Sequence, residues 1–567
     1  MNKYIFQAFI VVLLVGASAC KKDFLAYDYA VDGTISEEQV FASNEHARNF
    51  LNNAYRGLVE GRNGDFRYNL SGEMGLSTGC DEAVSALPGA TINMFNNGNW
   101  SPTLLFDDVY ARQYQSLRAV NIFLKNAPTS ALIDDATLSK QTLIGEAQFL
   151  RAMFHFELLK RYGGVIIATR PFDLSDDLNL PQNTFDEVVA QIVSDCDSAA
   201  LNISYETSSD HGSALKGRAT KAAALALKSR TLLYAASPLN NPGNDLSKWQ
   251  AAADAAKAVI DLAGAKHGLL SFAQLPNLWN FGTQAFNKEV IFASETLSAT
   301  TIDVNNAPPS YTDGRGRTNP TQELVDAFEM KVTGKSIHTP GSGYDPDYPY
   351  EGRDDRFSLF INYNGHNFRG VDIDTRVGKK DNNPQAAVDR TTATGYYLRK
   401  FVNTTNTAAT RRAYVFFRYA EILLNYAEAL NETMAVPSAE VYEAINSVRR
   451  RDITSETEGL AALQSTDVDG NGYVPPTRED MRLRIQNERR VELCFEEHRF
   501  FDVRRWKLGD VYFNKPVTGV RITGDSEPFT YSYFTVQNRT FSDKMYRFPF
   551  AQTQLAKAPA LEQNPDW

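Results

Sequence analysis

The sequence contains little cysteine and histidine, and these residues are not spaced as they usually are in metal sites. Four cysteines occur in 567 residues, and no two of them form a C-x-x-C pair. The seven histidines include no two within five positions of each other, which excludes an H-E-x-x-H zinc helix. A disulfide framework is not expected either, and we expect Cys80, Cys196 and Cys494 to be buried thiols.

A net positive charge and long apolar runs are missing as well. The formal net charge is −10 at pH 7, which argues against the basic footprint that nucleic-acid binding requires. No stretch outside the N-terminus approaches 18 consecutive apolar residues, so no transmembrane helix is expected. A phosphate-binding loop of the form G-x-x-x-x-G-K-[ST] is also absent.

The N-terminus has the pattern of an export signal. Lys3 precedes an apolar run over residues 5–15, and small residues then lead to Cys20. This order resembles a bacterial lipobox, although Ala17 stands where leucine is commoner. We predict that residues 1–19 are a lipoprotein signal peptide and that Cys20 is the lipidated N-terminus. Residues 20–35 would then form a tether, and an ordinary signal peptide is the alternative.

Apolar residues recur with helical periodicity through most of the remaining chain. Two pairs of alanine-rich or amphipathic helices have the spacing of helical hairpins, which favours a mainly α fold of tetratricopeptide-like helix pairs. The predicted helices cover residues 36–58, 106–125, 139–162, 184–201, 220–236, 249–260, 414–430 and 438–450.

Two segments are instead rich in glycine, proline and polar residues. Residues 60–103 form the first, and residues 300–400 form the second, which also contains many tyrosines. Short strands are predicted in and beside the second segment at 290–293, 357–362 and 396–402. We therefore expect one domain over 36–567, with helical scaffold at 36–270 and 411–510 and a loop-rich ligand-binding subdomain at 271–410.

Glu488 and Glu492 are the strongest candidates for chemistry, because they share the apolar face of a predicted helix. Glycosidases use two carboxyl groups about 5–10 Å apart, which neighbours on one helical turn could provide. Arginines at 484, 489, 490 and 499 surround these acids, however. Guanidinium groups hold carboxylates ionised, so we predict a structural ion-pair network formed with the helix's own arginines.

A second candidate site is a short acidic loop that begins like a calcium-binding EF-hand. Asp467, Asp469 and Asn471 occupy its first, third and fifth positions. Position twelve is Arg478, where a bidentate glutamate belongs. We therefore favour a solvated turn and no metal or other cofactor, with calcium as the alternative.

Five stretches of the chain together resemble the SusD/RagB family. They are Cys20–Leu25, Asn319–Met330, Gly395–Phe401, the charged and aromatic segment Asn487–Trp506, and the ending Gln563–Trp567. The resemblance implies a SusD-like fold and a surface-exposed, lipid-anchored protein of the cell outer membrane. It also implies a protein without catalytic activity that captures oligosaccharides and delivers them to a SusC-like TonB-dependent transporter.

The resemblance places the ligand surface in loops 60–103 and 300–318. Sugars need aromatic platforms and directional hydrogen bonds, so the candidate ligand-binding residues are Asp81, Trp100, Tyr311 and Asp313. Arg369 and Tyr396 would complete the site. Two alternatives remain, namely a peptide-binding member of the same family and a surface glycoside hydrolase.

Overall fold

The computed structural model describes most of the chain beyond the N-terminal segment. The described ranges are 35–58, 75–134, 138–173, 175–206, 217–264, 266–279, 287–294, 297–298, 301–385, 390–403, 411–412, 414–451, 459–464 and 475–567.

The fold is mainly α, as predicted. The helices are α1 Glu37–Phe41, α2 Asn44–Ala54, α3 Asn93–Asn96, α4 Tyr110–Asn126, α5 Lys140–Tyr162, α6 Phe185–Asn202, α7 Lys221–Ala236, α8 Leu246–Ala263, α9 Thr301–Asn306, α10 Gln322–Ala327, α11 Asp355–Phe360, α12 Tyr419–Glu432, α13 Ala439–Arg450, α14 Arg478–Glu492, α15 His498–Arg505, α16 Gly509–Tyr512 and α17 Gln552–Lys557. Short 3₁₀ segments lie at Tyr55–Leu58, Gly75–Gly79, Ala127–Thr129, Phe272–Leu278 and Asp543–Tyr546.

Consecutive helices pack as hairpins and form a continuous scaffold. Helices α4 to α7 each contact the next one along the chain, and α8 also contacts α12, which packs against α13 and α14. Small residues permit the close crossing of α7 and α8, since Ala223 and Ala256 are completely buried. The predicted tetratricopeptide-like pairs are therefore confirmed, with α7 and α8 as one pair and α12 and α13 as another.

The N-terminal helix boundaries agree only in part with the prediction. Ser36 and Gln39 form the expected capping box, which fixes the start of α1. The chain then breaks, and Ser43 caps a second helix through its side chain. The prediction of one continuous helix over 36–58 is therefore wrong, because a second capping residue starts a new helix.

The loop-rich part contains short antiparallel strand pairs. The strands are β1 Ala83–Ser85, β2 Val290–Ala293, β3 Leu297–Ser298, β4 Thr318–Pro320, β5 Ile361–Asn362, β6 Asn367–Phe368, β7 Val371–Asp372, β8 Tyr397–Leu398, β9 Arg411–Arg412 and β10 Val415–Arg418. The pairs are β1–β4, β2–β10, β3–β9, β5–β8 and β6–β7. The strand predicted at 357–362 is mostly helix α11, since Asp354 caps a helical turn there through its side chain.

A longer hairpin near the C-terminus was not predicted. Strands β11 Val517–Thr523 and β12 Thr530–Gln537 pair antiparallel with each other. Val520 and Ile522 of β11 face the core, whereas Ser532 and Tyr533 of β12 are exposed. Among the described helices, none is both long and apolar enough to cross a membrane.

Candidate functional site

The two acids on α14 belong to a buried ion-pair network. Glu488 and Glu492 are 1% and 0% exposed, so neither carboxyl group faces a cleft. Arg418 Nη1 lies 2.6 Å from Glu492, and Arg356 Nη1 lies 2.9 Å from the same carboxylate. Arg451 bonds to Glu492 as well. The prediction of a structural network is therefore confirmed, and a glycosidase-like pair has no access for substrate.

Burial opposes the ionisation of Glu492, but the guanidinium groups around it decide its charge. Arg451, Arg418 and Arg356 hold the pKa of this carboxyl well below its usual range. A raised pKa, which a general acid requires, is therefore absent from Glu492.

The expected source of the arginines was wrong. Glu488 and Glu492 pair with Arg356, Arg418, Arg449 and Arg451, which come from α11, β10 and the end of α13. The arginines of the α14–α15 segment pair with other acids, and Arg484 joins the network only through Glu329, which also pairs with Arg449. The pairs are Arg484–Glu329, Arg489–Asp502, Arg490–Asp81 and Arg499–Asp81.

One pentapeptide matches the G-x-S-x-G pattern of hydrolase nucleophiles. Gly75–Gly79 carries Ser77 at its centre, but it forms a 3₁₀ segment and not a strand-to-helix elbow. Ser77 is completely buried. The pattern therefore does not place a nucleophile at a surface.

Asp81 and Trp100 lie inside the molecule and not on a ligand surface. Asp81 is 3% exposed and accepts hydrogen bonds from Arg499 at 2.8 and 2.9 Å. Trp100 is 2% exposed and packs edge-on against Trp567 and Phe106, with ring centroids 4.6 and 5.0 Å away. The expectation that these two residues face a sugar is therefore corrected, because their loop packs against the C-terminal segment.

Tyr396 is also internal. Its ring is 1% exposed, and its hydroxyl donates to Gln322 Oε1 at 2.8 Å. The ring lies edge-on to Tyr350, with centroids 6.2 Å apart. The Tyr396 side chain therefore packs inside the molecule and does not reach the surface. The prediction that it contacts a ligand is wrong for this reason.

The side chains of Tyr311 and Arg369 lie next to each other, as residues of a single site would. The Arg369 guanidinium lies 5.3 Å from the Tyr311 ring centroid and 3.4 Å from Asp303. Burial raises the pKa of Tyr311 to about 12, so its hydroxyl stays protonated at neutral pH. No described residue accepts a hydrogen bond from that hydroxyl. Asp313 is exposed two positions along the chain, at a left-handed φ of +62°.

Buried polar contacts fix the loop that carries Tyr311. The Asp381 carboxylate accepts hydrogen bonds from the backbone of Ser310 at 2.8 Å and Asp374 at 3.0 Å. Gly316 has a φ of +57°, and a Cβ there would lie 2.2 Å from the Tyr397 ring. Only glycine therefore fits the turn that ends this loop.

A second surface joins the loop 344–350 to the C-terminal hairpin and carries exposed tyrosine rings. We call Tyr344, Tyr531 and Tyr533, together with Tyr348 of the same loop, the tyrosine surface. Tyr533 is 54% exposed and Tyr348 is 39% exposed. The hydroxyl groups of Tyr344 and Tyr533 interact with each other, and Tyr531 lies edge-on to Tyr350, with ring centroids 5.9 Å apart.

Polar groups lie next to the tyrosine surface. Asp326 lies close enough to act electrostatically on both Tyr344 and Tyr533, and His338 Nε2 lies 3.4 Å from its carboxylate. Beneath them, Arg353 donates to the backbone carbonyls of Val325 and Phe328 at the end of α10. The surface thus combines exposed rings with an acid and an imidazole.

Sequence reasoning missed this surface, although its tyrosines carry a signal. Tyr531 and Tyr533 lie two positions apart in the sequence, and Tyr344 and Tyr348 lie four positions apart. In extended backbone, even spacing directs side chains to the same face. The signal was hidden because 344–350 lies in a loop and because the hairpin was not recognised.

Two sequence models of protein families match most of the chain between them. A sequence model of the SusD family matches residues 288–567, and a second, described as starch-binding and associating with the outer membrane, matches residues 37–233.

The chain belongs to the SusD/RagB family.

Individual SusD-like relatives match over most of their lengths. SusD-like protein P2 of Formosa agariphila is 26% identical over 416 residues, which is 71% of this chain and 72% of the relative. The crystal structure of a SusD-like protein from Bacteroides fragilis shares 27% identity at a TM-score of 0.75, covering 96% of this chain and 99% of that chain. Surface glycan-binding protein A of Bacteroides uniformis has the same fold, with 20% identity, a TM-score of 0.63, and 92% and 99% covered.

Two predicted sites of this SusD family member lie outside the described residues. They are the lipidation site Cys20 and the calcium motif at Asp467, Asp469 and Asn471. Within the described ranges, no group of three or more histidine, cysteine, aspartate or glutamate side chains could hold a metal ion.

Proposed function

We propose that this protein is a surface-exposed lipoprotein that captures oligosaccharides without cleaving them and delivers them to a SusC-like TonB-dependent transporter of the outer membrane. Membership of the SusD/RagB family supports the class of activity. The exposed tyrosine surface supports a carbohydrate ligand, and it is the observation on which the proposed location rests.

The chemistry of the tyrosine surface suits a sugar. Pyranose rings have C–H faces that stack on aromatic rings, and their hydroxyl groups need directional partners. Tyr348 and Tyr533 offer the exposed rings. Burial raises the pKa of Tyr531 to about 12, so its hydroxyl remains a donor at neutral pH. Asp326 and His338 would accept or donate to sugar hydroxyls.

The second candidate location is the group of Tyr311, Asp313 and Arg369. It has a hydroxyl without a described acceptor and an exposed carboxylate. Its aromatic ring is only 8% exposed, however, which leaves little area for stacking. We therefore place the primary sugar contact at Tyr533 and not at Tyr311.

A glycan array followed by calorimetry on the best ligand tests this proposal. Tyr533→Ala removes a stacking ring worth roughly 0.5–1.5 kcal/mol beyond its buried area, so we expect an affinity loss of about tenfold. Asp313→Ala is the matched control at the other location and should bind as the unmodified protein does. The ligand should be recovered uncleaved after long incubation.

Other results would contradict specific parts of the proposal. Loss of binding in Asp313→Ala with normal binding in Tyr533→Ala would move the site to the second location. Binding of peptides but of no glycan would replace the ligand class. Release of shortened saccharides by the purified protein would restore the glycoside hydrolase alternative.

A further inference from the structure

The β11–β12 hairpin has one protected edge and one open edge. Along β11, the backbone N–H of Val520 donates to Thr394 O at 2.8 Å, and the Ile522 carbonyl accepts from Val377 N at 3.0 Å. The N–H of Thr518 donates to the Glu323 carboxylate at 3.0 and 3.1 Å. The outer side of β11 is therefore satisfied by other parts of the chain.

The same three bonds determine which groups of β12 point outward. In an antiparallel pair, opposite residues either exchange both hydrogen bonds or turn both groups away from each other. Val520, Ile522 and Thr518 bond away from β12, and their opposite residues are Tyr533, Tyr531 and Thr535. The backbone N–H and C=O groups of these three β12 residues therefore point to the outer edge.

No described residue bonds to the outer edge of β12. Backbone bonds outside the ladder involve none of Tyr531, Tyr533 or Thr535. Natural edge strands are usually protected by lysine, proline or a bulge. Residues 530–537 contain no charged residue and no proline, and the one bulge, at Val536, lies beyond Thr535 at the C-terminal end of β12. The edge formed by residues 530–535 is thus open and uncharged.

The exposed acidic residues of the hairpin lie at its turn end, whereas the exposed Arg521 of β11 lies over the Phe534 ring, 5.1 Å from its centroid. Exposed Asp525 and Glu527 lie in the turn before β12. Arg376 donates to backbone carbonyls of this turn, but its guanidinium is paired with Asp374 at 2.7 Å. Lys379 also acts on Asp374. Asp525 and Glu527 therefore place two exposed carboxylates close to Thr530 along the chain, and Asp525 also interacts with Arg376.

We propose that the outer edge of β12 binds an extended peptide segment of another protein by strand addition. Six backbone groups would pair with the peptide, which fits a peptidic partner and not a saccharide. The segment would be uncharged over its central residues and, in the antiparallel orientation, would carry a lysine or arginine at the C-terminal end next to Asp525 and Glu527. Tyr531 and Tyr533 belong to both surfaces, but the peptide would bind their backbone groups, whereas the proposed sugar contacts use their side chains.

Fluorescence anisotropy with blocked, labelled octapeptides tests the proposal on the full mature protein. The probes have uncharged Thr/Val/Ser/Tyr centres and end in lysine or in glutamate. We expect the lysine probes to bind at least tenfold more tightly than the glutamate probes. N-methylation at every second peptide position should weaken binding at least tenfold, whereas methylation at the intervening positions should have little effect.

Variants of the strand provide the matched comparison. Thr535→Pro removes one outward N–H without removing a ladder donor, and it should abolish peptide binding while oligosaccharide binding persists. Thr535→Val keeps the N–H and should bind normally. Asp525→Asn combined with Glu527→Gln should remove the preference for lysine.

Three results would overturn the proposal. The first is that N-methylation weakens peptide binding equally at alternate and at intervening positions. This measurement uses the unmodified protein, so it does not depend on whether Thr535→Pro folds. Another is unchanged peptide binding in a folded Thr535→Pro variant. The third is self-association of the protein that Thr535→Pro abolishes, because the edge would then bind a second copy of this chain.

Discussion

At the scale of single residues, Trp100 shows how an aromatic in a glycine-rich loop can serve the core. Its ring contacts Phe106, Phe548 and Trp567 at centroid distances of 5.0, 5.1 and 4.6 Å. Phe548 and Trp567 lie more than 400 positions along the chain. The sequence around Trp100 contains no sign of these partners, so an exposed platform was the natural but incorrect expectation.

Trp100→Ala should therefore affect stability and not ligand binding. Emptying such a buried site typically costs about 3–5 kcal/mol, and urea unfolding would measure the loss. Tyr533→Ala is the reciprocal control, because that ring is 54% exposed, and its unfolding midpoint should barely change. Reduced sugar affinity in folded Trp100→Ala, with unchanged stability, would contradict the structure.

Glu82 should make stability depend on pH. The carboxyl is buried, and burial raises its pKa from 4.5 to about 8, although the Phe495 N–H donates to Oε2 at 3.1 Å. The folded protein therefore keeps a proton that the unfolded chain releases above about pH 4.5. The stabilisation is complete below that pH and is lost as pH rises through 8.

Glu82→Gln mimics the protonated form and should remove this dependence. Relative to the unmodified protein, the variant should gain about 1 kcal/mol per pH unit between pH 5 and 8. Urea unfolding of both proteins at several pH values measures the difference. Parallel stability curves would show that Glu82 is ionised in the folded protein.

At the scale of elements, the ion-pair network fixes α14 against β10 and the end of α13. Arg418 alone reaches Glu289, Glu492 and Glu496, with N–O distances of 2.9, 2.6 and 2.7 Å. Each ion pair joins residues from different elements. This pairing compensates charges that would be too costly to bury alone.

Arg418→Met should cost about 3–5 kcal/mol, because it leaves three buried carboxylates with one cation fewer. Arg478→Met is a matched control on α14: its pair with Glu479 joins side chains that are 30% and 58% exposed, and such pairs contribute roughly 0–1 kcal/mol. Chemical unfolding of both variants tests the contrast. Equal losses would mean that burial of the network contributes little.

Helices were predictable from the sequence where local chemistry alone decides them. Ser139 and Thr184 cap α5 and α6 within one residue of the expected starts, because capping depends on neighbours along the chain. Strands and site residues depend on distant partners. Tyr397 was expected in a strand over 396–402, but its pairing with Asn362 continues for only one further residue, Leu398.

At the scale of the whole molecule, the proposed lipid anchor determines where the protein works. Cys20→Ala should abolish incorporation of labelled fatty acid and release the protein from the membrane fraction, because one side chain carries the anchor. Ligand affinity of the released protein should be unchanged. Continued lipid labelling of Cys20→Ala would contradict the predicted processing site.

The return of the C-terminus to the N-terminal half limits the order in which the protein can fold. Asp81 pairs with Arg499, the Cys80 carbonyl accepts from Arg539 at 2.6 Å, and Asn564 donates to the Tyr162 carbonyl at 2.9 Å. Such contacts close only after nearly all of the chain is present, and distant closures slow folding. Under the proposed export, the chain could therefore not complete this core until its C-terminal segment had left the export channel.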